Sequence, residues 1–173
     1  MRNNPEDVGM QVLLASGDAP YASTLAHFLE TEGYHVQRCH DARGVLRLVG
    51  RNTFGTIVLD MELDEESDLD LVTYIRRQTP DTQLILIVEI AKLEKALAGI
   101  RRGAFFYLPK SSAPSDVALA VNKARRNLQT QTAIQDYEQD LFQEFIGDSK
   151  AMKRVIEVIT KVAPTDSTVL ILG

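Results

Sequence analysis

Five short apolar runs recur along the first two-thirds of the chain, near residues 10–15 (MQVLLA), 34–38 (YHVQR), 56–60 (TIVLD), 84–88 (LILIV) and 104–108 (AFFYL). Each is too short for an independent helix, and the Val and Ile content favours strands. The apolarity is continuous rather than alternating, which predicts a parallel sheet covered on both faces. Between the runs, apolar residues take helical spacing: Leu25, Phe28 and Leu29; Val45, Leu48 and Val49; Leu71, Val72 and Ile75; Leu93, Ala96, Leu97 and Ile100. Gly33, Gly50 and Gly103 stand where the first, second and fourth of these helices should stop, as caps with positive φ, and Pro80 follows the third.

Strands alternating with helices predict a doubly wound α/β domain with five parallel strands, whose crevice lies at the carboxyl ends of the strands. That places Ser16, Gly17 and Asp18 after the first strand, Asp60 at the end of the third, Val88 and Glu89 after the fourth, and Lys110 after the fifth. An Asp and a Lys from different units converging on one edge is the first chemical signal.

The last helix of this series is different. It starts near Pro114-Ser115-Asp116 and runs without Gly or Pro to about Phe145, roughly 30 residues or about 45 Å. Only its first half is needed to cover the sheet. The second half carries Leu128, Ile134, Tyr137, Leu141 and Phe145 at approximate three-and-four spacing, interrupted by Gln131. This predicts a homodimer through a helix pair; the alternative is a solvated linker helix. After Gly147 comes another helical pattern with Val155, Ile156, Ile159 and Val162, then Pro164 and a buried-strand pattern over 168–172. The expected parts are a domain over 1–126, a dimerisation helix over 127–146, and the first elements of a second domain over 147–173.

Composition narrows the classes. The 173 residues carry 19 Lys+Arg against 24 Asp+Glu, a net charge of −5, with one Cys and no Trp. Cys39 alone makes no internal disulfide or cysteine-rich metal site. No apolar run approaches the roughly 20 residues of a membrane span, and the start lacks a secretory pattern, so the expectation is a cytoplasmic protein without membrane contact. Mild acidity argues against direct nucleic-acid binding. The charge is concentrated: residues 60–70 hold seven acids and no base. These carboxylates read as a solvated loop favouring the N-terminal end of the next helix. His27, His35 and His40 are isolated and read as structural. No Gly-rich loop follows the first strand and no complete GxxxxGK[ST] occurs, which disfavours a small nucleotide-binding enzyme.

The segments LLASGDAPYASTLAHFLETEGYHV, TIVLDMEL, LILIV and RRGAFFYLPK together resemble the receiver domain of two-component response regulators. Residues 146–173, IGDSKAMKRVIEVITKVAPTDSTVLILG, are similar to the entry of the AAA+ ATPase domain in NtrC-type, sigma-54-dependent transcriptional activators. The resemblance implies the receiver (flavodoxin-like) sheet order 2-1-3-4-5 and a non-enzymatic signal-input module controlling an ATPase. It implies a sensor histidine kinase or another regulatory protein as partner. Gly173 would be the first glycine of the phosphate-binding loop, so the ATP site belongs to the full-length protein and not to this chain. It further implies that Asp60 accepts the phosphoryl group and that Lys110 pairs with the phosphoryl oxygens. A Ser or Thr after the fourth strand would hydrogen-bond that group, and Tyr107 would follow its motion. Mg²⁺ would be held by an acidic pair after the first strand, by Asp60 and by the carbonyl of Glu62.

The departures from this pattern cluster in the pocket. The acidic pair falls on Ser16 and Gly17, leaving Asp18, one position later, to complete a metal set with Asp60 and Glu62. The hydroxyl position is Val88, which donates no hydrogen bond, and its neighbour Glu89 brings negative charge. Ser111 replaces the usual Pro after Lys110, so that bond is expected to be trans. Two readings are open: a pseudo-receiver set by a partner protein or small ligand, and a conventional receiver with a weakened Mg²⁺ site.

Overall fold

The sheet forms because three Val-, Ile- and Leu-rich segments can be buried on both faces only if helices flank them on each side. The computed structural model describes residues 5–65 and 70–146, with side chains for 7–64 and 70–131. Its strands are β1 (Gln11–Ala15), β2 (His35–Cys39), β3 (Thr56–Asp60), β4 (Gln83–Val88) and β5 (Phe106–Pro109), all parallel, in the order β2-β1-β3-β4-β5. The helices are α1 (Pro5–Gly9), α2 (Ala19–Thr31), α3 (Ala42–Val49), α4 (Met61–Glu65), α5 (Leu71–Gln78), α6 (Leu93–Arg101) and α7 (Pro114–Ile146), with a 3₁₀ turn over Ile90–Lys92. The chain divides into two compact units, Met1–Gln131 and Thr132–Gly173, and the whole sheet belongs to the first.

Alternate residues of the central strands feed two cores. Leu13, Ile57, Leu59, Leu84 and Leu86 pack with Val45, Val49, Leu71, Val72 and Ile75. Val12, Leu14, Val58, Ile85 and Ile87 pack with Leu25, Leu29, Val117 and Val121. Each such side chain stabilises the fold by about 1.5–3 kcal/mol through burial. The parallel register pairs Ala15 with Leu59 and Asp60 with Ile87, so the strands end level. Backbone bonds extend that edge: Ser16 N donates to Cys39 O at 3.1 Å, and Lys110 N donates to Val88 O at 2.7 Å.

Several expectations need correction. Only β1, β3 and β4 are buried along nearly their whole length; β2 and β5 are edge strands with exposed residues such as His35 and Phe106. Gly33 and Gly103 take positive φ (90° and 98°), but Gly50 caps α3 at φ −75° because the chain continues into a right-handed turn, with Asn52 N donating to Leu48 O. The buried face of α6 is Ala96 and Gly99, while Leu93 and Leu97 are exposed. The reason is close approach: a Cβ on Gly99 would lie 2.2 Å from Leu86 Cδ1, so only small residues let the helix reach β4. Helices α1 and α4 carry no readable periodicity, each being five residues long.

Helix α7 spans 33 residues. Of the proposed dimerisation positions, Leu128 is half-buried, and the side chains of Ile134, Tyr137, Leu141 and Phe145 lie outside the described residues. The helix and strand expected beyond Gly147 also lie outside them.

Candidate functional site

Four loops at the carboxyl edge of the sheet bring together the residues named from the sequence. Asp60 ends β3 with its side chain only 2% exposed. A carboxylate this buried needs compensation, and it has three partners. Ser16 Oγ donates to Oδ2 at 2.7 Å, Glu62 N donates to Oδ1 at 3.2 Å, and Lys110 Nζ lies 3.1 Å from Oδ2. Ser16 Oγ in turn accepts from Asp18 N at 3.2 Å. Asp18 is the N-cap of α2, its Oδ1 accepting from Tyr21 N at 3.0 Å, a role that Asp fills well at a helix start.

Lys110 is the centre of the arrangement. Its ammonium bonds Glu62 Oε2 at 2.7 Å, Asp60 Oδ2 at 3.1 Å, and faces Asp18 Oδ2 at 3.7 Å. Partial burial works against the charged amine, but the hydrogen bonds to Glu62 and Asp60 overcome it and raise the Lys110 pKa. The bond from Lys110 holds the Glu62 carboxyl below the usual carboxylate range. Glu62 reaches Lys110 because α4 begins directly after Asp60 and turns residue 62 back over the edge. The resemblance gives Glu62 a backbone carbonyl role; in the structure its side chain is the closest partner of the lysine.

Tyr21 is a site residue that the sequence pattern does not single out. Its ring lies 5.9 Å from the Lys110 ammonium, and its hydroxyl is buried with no hydrogen-bond partner. Burial first, and then the charge of Asp60, push its pKa up to about 12. The position three residues after the Asp18 cap is the available signal. Together with Gly17, His40, Glu89 and Ser111, these groups line an open cleft of about 920 Å³.

Val88 is 2% exposed and its side chain packs in the core. Tyr107 is half-buried, packed against the same core, with its ring 6.2 Å from that of Phe106. The Lys110–Ser111 bond is trans, as is every described peptide bond. Of the acids after the pocket, two are engaged in structure: Asp64 Oδ1 accepts from Leu71 N at 2.7 Å, and Asp70 caps α5 while pairing with Arg102 at 2.7 Å. Burial pushes the Cys39 thiol up to about 12, which keeps it an unreactive packed residue.

Mg²⁺ demands a near-octahedral set of hard oxygens, usually one or two carboxylates free to coordinate it together with several waters. This donor set does not fit it. Ser16 and Gly17 supply no carboxylate, both Asp60 oxygens already accept hydrogen bonds, and Asp18 is committed to its helix. Among the described residues, no three of His, Cys, Asp and Glu are grouped so as to hold a metal ion. The three carboxylates that do converge enclose the lysine ammonium instead.

Comparison with known proteins agrees with this architecture. Residues 12–122 match the family model described as the response regulator receiver domain. The alginate biosynthesis transcriptional regulatory protein AlgB of Pseudomonas putida is 30% identical over 166 residues, covering 94% of this chain and 37% of that protein. The DNA-binding transcriptional regulator NtrC of Azospirillum brasilense is 30% identical over 167 residues, covering 94% of this chain and 34% of that protein. The chain thus spans little more than a third of the curated relatives it matches. Among solved structures, NtrX from Brucella abortus in complex with ADP superposes with a TM-score of 0.71 at 25% identity, over 91% of this chain and 36% of that one. A CheY-like receiver domain from Methanospirillum hungatei gives a TM-score of 0.65 at 21% identity, over 70% of this chain and 97% of that one, and so shares the fold. With the sheet order, the Asp60–Lys110 edge and the matched residues in agreement, the chain belongs to the response regulator receiver domain family.

Proposed function

We propose that this receiver is a signal-input module of a sigma-54-dependent transcriptional regulator, and that its state is set without phosphorylation of Asp60. The observation that carries the reading is that the Lys110 ammonium, beyond its contact with Asp60, is bonded by Glu62 at 2.7 Å and faced by Asp18 at 3.7 Å, at an edge where Ser16 and Gly17 bring no carboxylate. A fixed internal cation sits at the edge where the family places a metal ion and offsets part of its negative charge, one ammonium facing three carboxylates. An incoming phosphoryl group would therefore meet an edge that is still net negative and whose lysine is already engaged. Val88 offers an incoming phosphoryl group no hydrogen bond, and Glu89 at the cleft mouth repels it. A partner protein or small ligand acting on this cleft would then set the conformation. The output is control of an AAA+ ATPase domain in the longer protein, transmitted through α7 as a dimerising arm in the cytoplasm. The helical spacing of Leu128, Ile134, Tyr137, Leu141 and Phe145 supports that role. The module itself performs no catalysis.

A second reading keeps Asp60 as a phosphoryl acceptor for a histidine kinase. The close approach of Asp60 and Lys110, the acceptor and ammonium that such chemistry uses, favours it. Incubation with acetyl phosphate and Mg²⁺, read by intact mass, separates the two. No adduct is expected; an adduct absent in Asp60→Asn establishes the second reading. Light scattering tests the arm: the full chain should be dimeric where a chain ending at Asn127 is monomeric. Two monomers would rule out the dimerising arm.

A further inference from the structure

Gln131, which breaks the apolar spacing of α7, and Gln83, a buried amide at the first position of β4, meet each other. Gln83 is 7% exposed, at the head of a strand otherwise made of Leu, Ile and Val. Its Oε1 accepts from Asn127 Nδ2 at 3.4 Å, and its Nε2 donates to Gln131 Oε1 at 3.3 Å and to the Asp81 carbonyl at 3.4 Å. The Asp81 carbonyl only accepts, which fixes the orientation of the Gln83 amide. Asn127 and Gln131 are four residues apart and so share one helix face, presenting a donor and an acceptor to a single amide.

A leucine at position 83 would fill the core without needing a helix partner, whereas a buried amide is favourable only when it is bonded. The amide therefore couples two elements rather than merely occupying space. Gln131 is also the last residue of the first compact unit. At the other end of β4, the Val88 carbonyl accepts from Lys110 N at 2.7 Å. β4, paired on both sides by β3 and β5, thus carries the amide group at its head and ends at the pocket edge.

We propose that Gln83, Asn127 and Gln131 form an amide clasp that fixes where α7 leaves the sheet. The three side-chain bonds are long, and Gln131 is exposed, so the clasp opens readily. The clasp does not depend on whether Asp60 takes a phosphoryl group.

Backbone hydrogen exchange on the full 173-residue chain tests it. Gln131→Ala removes an exposed arm of the clasp and raises intrinsic helix propensity, so faster exchange could not come from propensity. Amides of residues 128–135 should exchange roughly three- to tenfold faster in Gln131→Ala, with β1 and β3 amides unchanged. Gln83→Leu should do the same, and the double variant should add nothing further. Unchanged exchange at 128–135 in Gln131→Ala, or additive effects in the double variant, would overturn the proposal. If Gln83→Leu loosens the whole sheet, the Gln131→Ala result alone decides.

Discussion

Lys110 Nζ and Ser16 Oγ converge on the same oxygen of Asp60, at 3.1 and 2.7 Å. The charge of a nearly fully buried carboxylate is thus balanced by a residue of the same fold. Removing the lysine should therefore cost more than removing the acid. Lys110→Met strands a buried charge and should lower stability by about 3–5 kcal/mol. Asp60→Asn keeps an acceptor for Ser16 and leaves Lys110 its bond to Glu62, so it should cost about 1 kcal/mol. Urea unfolding of both variants measures the difference; equal losses would contradict the charge assignment.

Restoring the acidic pair should restore metal binding. A side chain at Gly17 meets only ordinary contacts, with Leu63 Cδ2 at 3.6 Å and His40 O at 3.7 Å, so aspartate is accommodated there. Ser16→Asp would place a second carboxylate where the hydroxyl now donates to Asp60. The Ser16→Asp/Gly17→Asp double variant should be less stable than the parent without Mg²⁺ and regain stability as Mg²⁺ is added. Thermal melts across an Mg²⁺ series show this, the parent remaining unaffected. A parent stabilised as strongly as the variant would refute the misfit of this donor set to Mg²⁺.

Stability should fall at both ends of the pH scale for identifiable reasons. The Glu62 pKa is lowered by its Lys110 bond, so its contribution is complete above the ordinary carboxylate value of about 4.3. It is lost as pH falls through the lowered folded value. The Lys110 pKa is raised, so its contribution is complete below about 10.4 and is lost as pH rises through the folded value. The Tyr21 phenol is raised to about 12, so its burial becomes unfavourable between its free value and that pH. Tyr21→Phe removes an unpartnered buried hydroxyl and should flatten the alkaline limb without loss at neutral pH. Glu62→Gln should flatten the acid limb. Denaturant midpoints measured across pH check both.

The docking of α6 should tolerate no added carbon at its closest point. Gly99→Ala forces a Cβ into Leu86, a fully buried core residue, and should cost about 1–3 kcal/mol by overpacking. A neutral result in urea unfolding would mean that α6 can slide on β4.

How much of the fold and site is legible in the sequence depends on the range of the interaction. The strands and the convergence of Asp60 with Lys110 are readable, because parallel α/β topology places strand ends on one edge whatever the details. Which groups touch there is not. The bond from Ser16 to Asp60 links residues 44 apart, and Glu62 meets Lys110 across 48. Neither follows from spacing. The side chain of Glu62 escapes notice because α4 is a five-residue helix, too short to show a period. The face of α6 is misread when large apolar residues are assumed to point inward, whereas Gly99 and Ala96 set the approach to the sheet. Gln131 reads only as a flaw in an apolar seam; its partner lies at the head of a distant strand.

The most direct test of a receiver set without phosphorylation is a Mg²⁺ titration in the presence of beryllofluoride, a phosphoryl mimic, followed by amide NMR on the parent chain and on Asp60→Asn. The internal lysine predicts no saturable, Asp60-dependent shift at residues 16–18, 60–62, 88–89 and 110 with Mg²⁺ in the millimolar range. Saturable shifts at those positions that vanish in Asp60→Asn would contradict it and return Asp60 to the role of phosphoryl acceptor.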